Sequence, residues 1–138
     1  MKLTLIVVGA LVLILAGGVW LLRGPDADDP NVVSRSGLHW HPQLEIYVKG
    51  VKQEIPQNTG LGAVHNPIHT HEDLPIIHLE FSGVVMRDDL MLKEFFGVWG
   101  KDFTEFGSSV AMTVNGQENA ERENYSMKDG DKIELRYE

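Results

Sequence analysis

No cysteine occurs among the 138 residues. Disulfides, thiolate zinc sites, iron–sulfur clusters and thiolate copper centres are therefore excluded. Positive charge is also scarce. Twelve Lys and Arg stand against 20 Asp and Glu, a formal net charge of −8. Beyond Arg23 the balance is 10 basic against 20 acidic residues, or −10. So acidic a domain lacks the basic patch that nucleic acid or anionic headgroups require, and no nucleic-acid partner is expected. There is no internal repeat, no low-complexity tract, no H-E-x-x-H helix and no serine in nucleophile-elbow surroundings. Histidine is confined as well: all six lie in two clusters.

The first cluster is His39-Trp40-His41. The second runs His65-Asn-Pro-Ile-His69-Thr-His71, then on through Glu72-Asp73 to His78-Leu-Glu80. Neutral imidazole is the commonest protein metal ligand. In an extended segment, residues i and i+2 lie on one side, about 6.5–7 Å apart at Cα. The pairs His39/His41, His69/His71 and His78/Glu80 all have that spacing. The expected site is one divalent transition ion held by His39, His41, His69, His71 and His78, with Glu80 as a further ligand or as support for one. Histidine-rich, thiolate-free ligands point to copper or zinc. His65, before Asn66-Pro67, is the weakest member. Glu72 and Asp73 read as solvent-facing groups or as partners that orient a ligand histidine. Met86 and Met91 read as core.

Two other functions fit the same residues. His39-Trp-His-Pro-Gln-Leu-Glu45 matches the H-x-H-x3-E fragment of cupins, which suggests a small oxidative or hydrolytic metalloenzyme. The surrounding glycine spacing differs from that family, and no second cupin motif follows. Alternatively the histidines serve a metal-free interaction surface that titrates between about pH 5 and 8. Residue types alone leave binding against catalysis open.

Leu3 to Leu22 is an uncharged run of twenty residues. At about 1.5 Å per residue it spans about 30 Å, the hydrocarbon thickness of a bilayer. Trp20 sits near one end, as an interfacial aromatic does. A cleaved signal peptide would have a shorter apolar region, of about 7–15 residues, and Ala16-Gly17-Gly18 is a poor cleavage site. The expected organisation is a single-pass membrane anchor over 1–23, an acidic, proline-bearing linker over 24–37, and an extracytoplasmic domain over 38–138.

Within that domain, Trp40–Ile55 reads as a hairpin turning at Lys49-Gly50. Leu44, Ile46 and Val48 form its core face, Val51, Gln53 and Ile55 pair back, and His39, His41 and Glu45 lie opposite. Pro56–Pro75 reads as loop and Ile76–Phe81 as a strand. Met86–Trp99 reads as a helix capped by Asp88 or Asp89 and ended by Gly97 or Gly100. Val110–Val114 and a final strand bearing Ile133, Leu135 and Tyr137 follow. This order predicts an α+β domain, a mixed sheet packed on one helix.

Two resemblances add to this reading. Val110-Ala-Met-Thr-Val-Asn-Gly116 with Lys128-Asp-Gly-Asp-Lys-Ile-Glu134 resembles the closing half of ubiquitin-like β-grasp domains, such as the small sulfur carriers. It implies a β-grasp-like fold. Those carriers end in Gly-Gly where this sequence has Arg136-Tyr-Glu138, so sulfur transfer is not expected. The histidine-bearing part is similar to a family of small membrane-anchored bacterial and archaeal proteins. The shared pattern is His39-Trp-His41, Leu44-Glu-Ile-Tyr-Val48, His69-Thr-His-Glu72 and Ile77-His-Leu-Glu80. That likeness supports the site without implying an activity.

Overall fold

The computed structural model describes Met1 and residues 29–138. The expected membrane span Leu3–Leu22 lies outside the described residues, as do residues 24–28 of the linker. Among the described residues no helix is long and apolar enough to cross a membrane. The chain divides into two units, Met1–Pro30 and Asn31–Glu138. The second is a mixed α+β domain with three sheets and one α-helix.

The second unit begins at Asn31. Val32–Ser34 form strand β1, which pairs antiparallel with β7 at Val85–Met86. The expected hairpin from Trp40 is divided in two. β2 covers Leu38–Trp40 and β3 covers Gln43–Val48, in different sheets. Pro42 is the break: it has no N–H for a ladder, while its carbonyl accepts the N–H of Ile77 at 2.8 Å. β3 and β4 (Val51–Gln53) do form the expected hairpin, with Val48 opposite Val51 and Ile46 opposite Gln53. Lys49 and Gly50 both have positive φ, 49° and 80°, the backbone that a tight two-residue hairpin turn demands.

β8 (Val110–Val114), β9 (Gln117–Glu118) and β10 (Lys132–Tyr137) complete a five-stranded sheet of order β4-β3-β10-β8-β9. β10 runs parallel to β3 and antiparallel to β8, so the first hairpin and the last strand meet at the centre. Leu44, Ile46, Ile133 and Leu135 bury one face of it.

Helix α1 covers Leu92–Trp99, shorter than the expected Met86–Trp99. Leu92, Phe95 and Phe96 are buried and Trp99 packs at the edge, the apolar stripe of a helix lying on a sheet. Neither Asp88 nor Asp89 caps it. The Asp89 carboxylate accepts the Met86 N–H at 2.8 Å, which supports the preceding turn over Asp88–Leu90. Gly100 ends the helix, and the next N–H, of Lys101, returns to the Phe96 carbonyl at 3.0 Å.

The third sheet has the order β2-β6-β5, with β5 at Ile68–His69 and β6 at His78–Phe81. β5 lies inside the segment expected to be loop. In this sheet Trp40 is opposite Leu79 and Leu79 opposite Ile68, so these side chains share one face. Ile68 and Leu79 belong to the same buried cluster as Leu44, Phe95 and Leu135, and Trp40 packs against it. Since successive side chains alternate, the other face carries His39, Glu80, His69 and His78.

Candidate metal centre

The register of the β2-β6-β5 sheet assembles the site. His39 lies opposite Glu80, and His69 opposite His78. His41 follows β2 and continues the same face, bringing its ring centroid to 4.9 Å from that of His78. Thr70 fixes the next pair. It is fully buried, its hydroxyl donates to the Pro56 carbonyl at 2.8 Å, and its N–H donates to Thr59 O at 3.0 Å. Thr70 thus faces the 56–60 segment, and its neighbours His69 and His71 face the other way.

The five imidazoles form two triads rather than the single shell expected from sequence. One is His39, His41 and His78; the other is His69, His71 and His78. Within each, one nitrogen per ring lies within 4.8 Å of the others. His78 is common to both.

Neighbouring groups fix several of the tautomers. His69 Nδ1 lies 3.0 Å from the Asn66 carbonyl, which can only accept, so Nδ1 carries the proton and Nε2 the lone pair. That lone pair is 3.2 Å from His71 Nε2. Two nitrogens bound to one tetrahedral ion at about 2.0–2.1 Å would be about 3.3 Å apart, so this spacing already suits a shared metal. Since His69 Nε2 carries the lone pair, His71 Nε2–H donates to it; for both nitrogens to ligate one ion, the His71 proton would have to sit on Nδ1. Burial of the His69 ring holds its pKa below the usual histidine range, against the opposing effects of the Asn66 bond and the Glu80 charge. The neutral, ligating form is the one this surrounding favours.

His78 sits against Asp73, its Nε2 at 3.2 and 3.1 Å from the two carboxylate oxygens. That hydrogen bond holds the Asp73 carboxyl below the usual carboxylate range. The other nitrogen, Nδ1, is buried and has no hydrogen-bond partner. A buried polar atom left unpaired is costly, and a ligand for it resolves the cost. His39 Nε2 lies 2.9 Å from Glu80 Oε1, which leaves Nδ1 as its lone-pair nitrogen. Glu80 therefore holds a histidine, the supporting role allowed for it. Asp129 accepts the backbone N–H of His41 at 2.8 Å, and its carboxylate stands 3.9 Å from the ring Nδ1. Three carboxylates, Asp73, Glu80 and Asp129, thus border five imidazoles, an arrangement that attracts cations.

Other expected residues fall outside. His65 is exposed, 6.4 Å from His69 between ring centroids, and belongs to neither triad. Glu45 lies on β3, in the five-stranded sheet, with its carboxylate on Lys52 and Tyr47. The cupin-like His39/His41/Glu45 fragment is therefore not assembled. Met86 and Met91, expected in the core, are half-buried. Sequence reasoning missed Asn66, Thr70 and Asp129. The Asp129 contact spans 88 positions, and no local pattern announces it. Asn66-Pro67 before an H-x-H pair was the available signal for Asn66. No family model, curated protein or solved structure matches the chain, so the reading of this centre rests on its own geometry.

Proposed function

We propose that this is a membrane-anchored protein whose extracytoplasmic domain binds a divalent transition ion, copper(II) or zinc, through imidazole nitrogens. The observation that carries the reading is the His69/His71/His78 triad. It offers a lone pair on His69 Nε2, a second ring nitrogen 3.2 Å away, and the buried, unpartnered Nδ1 of His78. Asn66 and Asp73 hold two of these rings from behind, as the partners of metal-bound histidines do. An all-nitrogen ligand set suits both ions. The charge of −10 beyond Arg23 favours cations at the surface. The twenty-residue run Leu3–Leu22 supports the anchor. A hairpin whose first strand pairs in parallel with the last strand supports the β-grasp-like reading of the domain.

The test is titration calorimetry of the metal-free full chain in detergent, purified without a histidine tag, with copper(II) and with zinc. One or both ions should bind with Kd below about 10 μM, and a His69→Ala/His71→Ala variant should bind clearly more weakly. Equal binding by both proteins, or none by either, refutes the proposal and leaves the histidines as a titrating interaction surface.

A further inference from the structure

The two triads share one residue, and lone-pair counting limits what that residue can do. A neutral imidazole has one lone pair. His78 gives its Nε2 to Asp73, which leaves the buried Nδ1 as its ligating nitrogen. One lone pair serves one ion, so the triads cannot both hold metal with His78 at the same moment. They are alternative positions.

The positions differ in access at one member. His39 is exposed and His69 is buried, while His41 and His71 are both half-buried, so the first triad is the more open. Glu80 and Asp129 stand beside the open triad, where an arriving cation meets carboxylate first. In the second triad the Nε2 atoms of His69 and His71 already stand 3.2 Å apart. The open triad is thus the more accessible to an arriving ion, and the other the more enclosed.

On this basis, and resting on the metal-binding reading above, we propose that the cluster is a two-position transfer site for a single ion. The ion is loaded at His39, His41 and His78, then passes to His69, His71 and His78. His78 stays bound throughout, so the ion exchanges two nitrogens for two others without leaving the protein. No oxidation or reduction is involved.

The test combines stoichiometry with loading kinetics on the full chain in detergent, using copper(II) alone as the probe and a chelator to set its free concentration. Wild type should bind one equivalent. A His39→Ala/His41→Ala variant should still bind one equivalent, with affinity within about threefold of wild type, but load about tenfold or more slowly. A His69→Ala/His71→Ala variant should load at the wild-type rate and hold the ion about tenfold or more weakly. His78→Ala should weaken binding more than either pair. Circular dichroism of the metal-free variants checks folding, and Gln replaces Ala at any pair that fails it. Two equivalents bound to wild type would overturn the shared position. Equal loss of affinity in both paired variants would overturn the two positions in favour of one five-histidine shell. Unchanged loading without His39 and His41 would overturn the order of transfer. Absence of copper binding by wild type is a different result, which removes the metal reading itself.

Discussion

Replacing Gly60 by alanine should damage both the fold and the site, although Gly60 is no ligand. Its φ is +78°, and a Cβ there would lie 2.5 Å from the Ile68 carbonyl oxygen, 2.9 Å from Val98 Cγ1 and 3.2 Å from His69 Cβ. Two costs add. The left-handed backbone costs an L-residue about 1–2 kcal/mol. The methyl must also displace the β5 backbone and a packed valine, an overpacking cost of about 1–3 kcal/mol. A less flexible unfolded chain returns about 0.4–1 kcal/mol. The net loss is about 1–4.6 kcal/mol, centred near 3. Gly50 supplies the control, since its φ is +80° and nothing lies within 4 Å of an added Cβ. Gly50→Ala carries the backbone cost alone, about 0–1.6 kcal/mol after the same offset. Urea unfolding of residues 31–138 measures both. Metal affinity of Gly60→Ala should fall too, because the displaced atoms belong to β5 and the Asn66 N–H is bonded to the Gly60 carbonyl at 2.9 Å. Equal losses at the two glycines would refute the close packing of the 56–66 segment on β5.

Residues 31–138 should fold on their own, and a chain beginning at Leu38 should be about 1–3 kcal/mol less stable, because the β1–β7 ladder and the Arg87 N–H bond to Asn31 O are lost; equal urea midpoints would show that β1 contributes nothing. Phe95→Ala should cost about 3–5 kcal/mol, since Phe95 is fully buried among Phe96 and Trp99; a loss under about 1 kcal/mol would contradict its burial. The metal-free domain should lose stability as pH falls below about 6.5, the ordinary imidazole value. The sign follows from His69: burial lowers its folded pKa, so the unfolded chain takes up a proton that the folded ring refuses. The effect is absent above that pH and grows down to the depressed folded value. His69→Gln should flatten this part of the pH profile in urea unfolding, and an unchanged slope would assign the dependence to other groups.

Much of the fold was legible because it is periodic. Leu44, Ile46, Ile133 and Leu135 alternate with polar residues, and all four are buried as that alternation requires. Leu92, Phe95 and Phe96 recur at helical spacing and are buried together. What failed was short or non-local. β5 has two residues and β1 three, too few to show a period. The helix start was misplaced because an aspartate before an apolar run reads as a cap wherever its carboxylate turns, and Asp89 turns to Met86. The parallel pairing of β3 with β10 joins opposite ends of the domain, and neither strand carries a sign of the other.

The site was legible in its residues and not in its partition. Each i, i+2 pair flanks one residue that faces the other way. Trp40 separates His39 from His41, Thr70 separates His69 from His71, and Leu79 separates His78 from Glu80. Leu79 is buried in the core, Trp40 packs against it, and Thr70 is fully buried on its own hydrogen bonds. The histidine face is thus the reverse side of the packing that orders the sheet. A slip of one residue in β6 would turn His78 and Glu80 into the apolar core and Leu79 out of it, an outcome the core forbids. That coupling sets the face on which the imidazoles meet. It does not set which of them meet, because that depends on sheet order. β6 lies between β2 and β5, so its histidine is the one that both neighbouring pairs can reach. The centrality of His78 is therefore a property of topology, which spacing along the chain does not carry.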